Sequence, residues 1–232
     1  MNRQTITRGI GALVAAFALT LGSSGQASAA SQHLWTYTSP GLCVSGYAET
    51  STGADGGGFS KSIAYTWHQG NTAICATAFT RPVGWISVES YLIAYDAPRG
   101  VWYRCGAPVG PYTNSVPAFG WQVYRHTYRA CGGNVWYATN TASYSYGGVR
   151  WHGGWVVSGS HWVPLAGRAD TAPPTAPRIS AAEALRRGEI RVGGPDGPRA
   201  TAAQLQPEPT RAPGTTTPIV PRAGVTVSPV SR

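Results

Sequence analysis

The stretch Trp85-Ile-Ser-Val-Glu-Ser-Tyr-Leu-Ile-Ala-Tyr95 decides the fold class. Successive side chains of a strand point to opposite faces. Ile86, Val88, Ser90, Leu92 and Ala94 therefore share one face, and Trp85, Ser87, Glu89, Tyr91, Ile93 and Tyr95 the other. The first face is core-like. The second mixes large rings with polar groups, which fits either a partly wet face or a strand buried on both sides.

The same alternation recurs outward from this segment, with no helical period between residues 30 and 167. Strands are expected near His33–Thr38, Leu42–Glu49, Ser60–Gln69, Ala73–Thr80, Gly84–Tyr95, Val101–Arg104, Gly120–Tyr128, Asn134–Tyr146 and Gly154–Val157. Gly53–Gly58 reads as a flexible loop, and Gln69-Gly-Asn71 and Ala97-Pro-Arg-Gly100 as tight turns. Arg125, Arg129 and the rings between them mark the strand after Gly120 as exposed or at an edge. About eight or nine short strands predict an all-β, antiparallel β-sandwich, because one open sheet would leave a face uncovered.

The four cysteines read as two disulfides. Cys43–Cys75 and Cys105–Cys131 are the preferred pairs, since each joins strands separated by a hairpin excursion. Each closed loop of about thirty residues would contribute roughly 3.5 kcal/mol in the chain-entropy model. No C-x-x-C occurs and the histidines lie singly, so no metal and no cofactor is expected.

Composition divides the chain. Residues 1–29 read as a secretory signal peptide, with Arg3 and Arg8, an apolar run from Ile10 to Leu21, and the triplet Ala27-Ser28-Ala29. The cut is expected after Ala29, with Ala30 as the next choice. The apolar run is well short of the ~20 residues a spanning helix needs, and no later segment reaches that length, so no membrane span is expected. A secreted, extracellular protein follows. Arginine outnumbers lysine 17 to 1, which points to a GC-rich bacterial genome.

Residues 30–167 hold all nine Trp, all twelve Tyr and all four Cys. Residues 168–232 hold none of these and are rich in Pro, Thr, Ala and Arg, so they are expected to be disordered and to be trimmed readily by proteases. A local exception is Ser180-Ala-Ala-Glu183, an S-x-x-E start signal ahead of good helix formers, with Gly188 as the stop. The +9 net charge is spread over all three regions. No basic cluster longer than Arg186-Arg187 occurs and no nucleic-acid module is matched, so nucleic acid is not an expected partner.

Catalytic chemistry has little to work with. The acids of the ordered domain are Glu49, Asp55, Glu89 and Asp96. Glu49 and Glu89 are the one pair available for glycoside hydrolysis. Ser158-Gly-Ser160-His161 sets hydroxyls beside an imidazole without a recognisable nucleophile motif. The reading leans away from an enzyme.

The aromatic residues are the unusual resource. The densest run is Tyr144, Tyr146, Trp151, His152, Trp155 and Trp162, interleaved with glycines that let flat groups approach the backbone. These six are the expected ligand contacts of a secreted non-catalytic binding protein. Extracellular glycan is the first partner class. A protein partner, bound by a secreted inhibitor or effector, is the alternative. Exposed rings spaced one sugar apart would favour the former, and a protruding rigid loop around Pro108–Pro117 the latter.

Overall fold

The computed structural model describes residues 28–37, 41–52, 58–69, 75–126, 131–146, 151–164, 173, 175–208 and 225–231. Among the described residues up to Pro164 there are ten strands: β1 (Ser28–Thr36), β2 (Leu42–Thr52), β3 (Gly58–Gln69), β4 (Cys75–Ala78), β5 (Ile86–Asp96), β6 (Val101–Thr113), β7 (Gly120–His126), β8 (Val135–Tyr146), β9 (Trp151–Val157) and β10 (His161–Val163). The C-terminal part adds helix α1 (Ala181–Arg186), strand β11 (Ile190–Arg191), helix α2 (Ala202–Leu205) and strand β12 (Val225–Pro229).

The architecture is an all-β sandwich. One sheet runs β1-β2-β3-β7-β12 with β4 also on β3; the other runs β10-β8-β5-β6-β11 with β9 also on β8. Every pairing is antiparallel except that of β11 with β6. Both disulfides form as expected, Cys43–Cys75 and Cys105–Cys131, with Cα–Cα distances of 6.0 and 5.6 Å.

Each expected strand has a counterpart, and the departures have local causes. β6 continues to Thr113 instead of ending at Arg104. Gly106 and Gly110, with φ of 69° and 105°, lie in the stretch where its register against β5 shifts twice. Pro108 and Pro111 are tolerated there because β11 pairs only with Trp102 and Tyr103, leaving that edge of β6 without a ladder. β7 is not an edge strand: β12 pairs along it from Val225↔Arg125 to Pro229↔Trp121. The short β10 has no counterpart among the expected strands. The Ala97–Gly100 turn closes with Gly100 N donating to Asp96 O at 2.8 Å. The Gly53–Gly58 loop and the Gln69–Asn71 turn lie largely outside the described residues.

Between the sheets the packing is apolar toward both ends and hydroxyl-rich in the middle. Ile86, Val88 and Tyr112 meet Ala64, Trp121 and Val123 at one end, while Leu92, Ala94, Tyr137 and Val163 gather around the buried Cys105 at the other. In between, Thr50 contacts Thr139 at 2.6 Å and Thr141 donates to Ser62 at 2.7 Å. Buried hydroxyls are tolerable when they satisfy one another.

β5 is buried on both sides. Tyr91, Ile93, Tyr95 and Trp102 on the outer face of its sheet pack against Ala181, Ala184, Ile190, Ala200 and Leu205. Residues 175–208 lie within the stretch expected to be disordered; here they form a third layer over this face. The sheet reaches out with side-chain donors to their carbonyl groups. Trp102 Nε1 donates to Ile179 O at 2.9 Å, Arg104 to Gln204 O at 2.9 Å, and Tyr91 OH to Leu205 O at 2.6 Å. Arg99 adds a fork onto Asp196 at the solvent side, at 2.9 and 3.2 Å. Helix α1 starts as its sequence signal requires, with Glu183 N donating to Ser180 Oγ, and stops at Gly188 (φ 66°). Residues 165–172, 174 and 209–224 lie outside the described residues.

The expected signal-peptide cut falls inside β1, where Ser28 and Ala29 pair with Ser51 and Thr50. A cut after Ala29 leaves Ala30–Thr36 to hold the strand. Residues 1–27 lie outside the described residues.

Candidate functional site

The six expected contact residues divide by face and by cover. The β8–β9 register sets Ala142 opposite Trp155, Tyr144 opposite Gly153, Ser145 opposite His152 and Tyr146 opposite Trp151. Tyr144 and Trp155 lie beneath the C-terminal layer: both donate to Pro207 O, at 3.4 and 3.3 Å, and Trp155 packs on Tyr91 with centroids 5.6 Å apart. His152 is buried against Tyr37 at 4.0 Å. Trp162 pairs with Trp136 at 5.9 Å, opposite each other on β10 and β8. Only Tyr146 and Trp151 join an extended run of half-buried rings.

The glycines among these residues do admit flat groups, but the groups are the protein's own. A Cβ on Gly154 would sit 2.9 Å from Trp35 Cζ2, and one on Gly46 would sit 3.0 Å from Trp35 Cζ3. Tyr37 OH accepts from Gly153 N at 2.8 Å. β1 thus spends the approach space that the sequence offered to a ligand.

The continuous aromatic surface is a track around one end of the sandwich. His68 stacks on Phe79 with centroids 3.9 Å apart. Arg81 lies between Phe79 and Trp85, its Cζ 4.8 Å from each ring. Trp85 meets Tyr146 at 4.9 Å and Tyr146 meets Trp151 at 6.0 Å, both edge to face. His68 is exposed and the other four rings are half-buried. Sequence reading missed His68, Phe79, Arg81 and Trp85, because they come from β3 and the β4–β5 connection rather than from the dense run. The one hint was Trp85 at the head of the segment that decides the fold.

The backbone under the track is pinned. Phe79 N donates to Thr66 O at 2.9 Å, Arg81 N to Ala118 O at 2.7 Å and Tyr146 N to Trp85 O at 3.0 Å. Asn114, 1% exposed, accepts from Ile86 N and donates to Pro82 O and Val116 O, each at 2.8 Å. One side chain thereby fixes both the Pro82–Trp85 turn and the connection after β6. Thr66 Oγ1 donates to Phe79 O at 2.6 Å, with Phe119 O 3.1 Å away as the alternative acceptor of its one proton. It ties the track to a second ring group, Tyr65, Trp67 and Phe119, whose centroids are 5.8 to 6.4 Å apart.

The catalytic alternatives do not assemble. Glu49 lies on the outer face of the first sheet, where Tyr47 OH donates to it at 2.7 Å. Glu89 shares the outer face of the second sheet with Tyr91, so both sheets separate the two carboxylates. Ser158 Oγ accepts from Thr139 N at 2.9 Å, while His161 Nε2 faces Thr52 Oγ1 at 2.6 Å. Neither is available to the other as nucleophile and base. Among the described residues no three His, Cys, Asp or Glu converge as metal ligands, and no helix is long and apolar enough to cross a membrane.

Glu89 has a measurable consequence of its own. Burial raises its pKa above the ordinary carboxylate value. A raised folded-state pKa means that its stabilising contribution is present at acid pH and is lost as pH rises through the raised value. At neutral pH the half-buried charge is a cost. Glu89→Gln should therefore flatten the loss of Tm that sets in as pH rises above the ordinary carboxylate range, and raise Tm on the alkaline side of that range. Identical Tm-against-pH curves for the two proteins would contradict this.

Comparison of this chain with known protein families, with curated proteins and with solved structures finds no match. The disulfide-bearing all-β sandwich is therefore the class the structure defines, and the functional reading rests on the site itself.

Proposed function

We propose that this is a secreted, non-catalytic binding protein that takes extracellular glycan on the track of Phe79, Trp85, Tyr146 and Trp151. The observation that carries the reading is the succession of half-open rings, bridged by Arg81 between Phe79 and Trp85, on a pinned backbone. The C–H faces of a pyranose stack on such rings, and a surface fixed before binding loses little entropy on binding. Edge-to-face neighbours make a stepped rather than a flat platform, which suits a single turning chain better than a crystalline polysaccharide. Export is supported by the n-region, apolar run and A-x-A triplet at the N-terminus, and by cysteines spent on disulfides.

The test is binding of soluble and cell-wall polysaccharides, followed by tryptophan fluorescence. Trp85→Ala and Trp151→Ala should each weaken binding about tenfold, the scale of one lost stacking contact. Trp155→Ala should leave affinity unchanged, since its ring lies under the C-terminal layer. Absence of binding across polysaccharides, or equal loss in all three variants, would reject the reading.

One observation favours a protein partner instead. Ser115-Val-Pro117 forms an exposed tip, with Val116 45% exposed, held rigid by the three hydrogen bonds of Asn114. A secreted inhibitor would present such a tip to its target. In that case Val116→Asp would abolish complex formation while leaving glycan titrations flat.

A further inference from the structure

We infer that the track selects an acidic glycan, one carrying carboxylate or phosphate oxygens, and that Arg81 is the residue that senses the charge. The inference rests on the glycan reading and names its ligand class.

Among the described residues Arg81 is a cation without a counter-ion. It is only 6% exposed. The ion pairs among the described residues use Arg99, Arg186 and Arg187 with Asp96, Asp196 and Glu183, and none involves Arg81. Its guanidinium donates to Tyr146 O, while its Nε is enclosed with no partner. Enclosing a donor without a partner is ordinarily costly. A structural filler between Phe79 and Trp85 would avoid that cost if it were apolar. Burial also lowers the guanidinium's pKa, the sign of a charge held away from water.

With Phe79 and Trp85 each 4.8 Å from the guanidinium carbon and one N–H group spent on Tyr146 O, the donors left over are the part able to meet an anion. A positive charge walled by low-dielectric rings projects its field further than one in open water. A sugar stacked on Trp85 would therefore bring any acidic substituent within range of an unneutralised cation. Without Arg3 and Arg8 of the signal peptide the net charge falls from +9 to +7, which favours the same partners at longer range.

The deciding experiment titrates the full chain with polygalacturonate, with its carboxyl-reduced neutral counterpart and with a polyol-phosphate wall polymer, each at low and high salt. At least tenfold tighter binding to one or both acidic polymers than to the neutral one, reduced by salt, is expected. The two acidic arms separate carboxylate from phosphate recognition. Arg81→Gln should remove the preference, so that acidic and neutral polymers bind alike, and Arg81→Lys should retain part of it. Equal affinity for acidic and neutral polymers, or a preference that survives Arg81→Gln, overturns the inference and leaves the glycan reading standing. Failure to bind any polymer overturns both. If Arg81→Gln does not fold, the wild-type comparison of charged and neutral polymers at two salt concentrations still decides.

Discussion

Deleting residues 168–232 should destabilise the sandwich by an amount of order 5 kcal/mol, a large fraction of what a domain of this size possesses. The deletion uncovers Tyr91, Ile93, Tyr95 and Trp102 and removes Ile190 and Leu205 from their sites. Each large apolar side chain returned to water costs roughly 1.5–3 kcal/mol. The entropy cost of ordering the deleted residues disappears with them and offsets part of this loss. The deletion also strips the donors of Tyr91, Trp102, Tyr144 and Trp155 of their carbonyl partners.

Denaturant unfolding of the full and shortened chains measures the loss, and binding of a hydrophobic dye reports the uncovered face. A chain ending at Glu208 separates the layer from β12. An unchanged midpoint for the chain ending at Gly167 would show that residues 175–208 are not part of the core. Limited proteolysis gives an independent reading. Backbone bonds such as Glu189 N to Ala184 O and Ala200 N to Ile190 O should protect residues 175–208, contrary to the ready trimming that composition alone leads one to expect.

Removing a disulfide should have the second-largest effect. Cys43–Cys75 and Cys105–Cys131 span 32 and 26 residues, so each constrains the unfolded chain by roughly 3.5 kcal/mol. The Cys105→Ala, Cys131→Ala pair should lower stability by about that amount. Cys105 is wholly buried beside Leu92, Ala94 and Tyr137, so a packing loss adds to the entropic one. The Cys43→Ala, Cys75→Ala pair frees the β3–β4 excursion and with it the backbone that carries Phe79. It should therefore weaken glycan binding as well as stability, whereas the Cys105, Cys131 pair should change stability alone. Equal binding by both disulfide variants under conditions where they are folded would break that link between the β4 region and the track.

The candidate site was legible only in part. Tyr146 and Trp151 stood out because they lie in the densest aromatic run, and they do belong to the track. Tyr144, His152 and Trp155 stood out equally and are spent on packing. Sequence proximity reports how many rings a segment carries, whereas openness depends on what another segment lays over them. Arg81 could not be singled out at all. An isolated arginine in a loop reads as solvated, and only the approach of Phe79 and Trp85 makes it a buried cation.

The sequence by itself determined what depends on near neighbours: the two-residue alternation that makes strands, the favoured pairing of cysteines about thirty residues apart, and the Ser180–Glu183 start of α1. It also showed that one face of β5 is apolar and left open whether the other is wet. Only the tertiary structure decided that question, and with it the fate of the C-terminal segment. Judged by its own content, residues 175–208 lack the large apolar groups needed to order themselves. The rings of β5, β6 and β9 supply that surface, and small residues such as Ala181, Ala184 and Ala200 fit closely against it. Burial is a property of two surfaces together, and a sequence read segment by segment shows only one of them at a time.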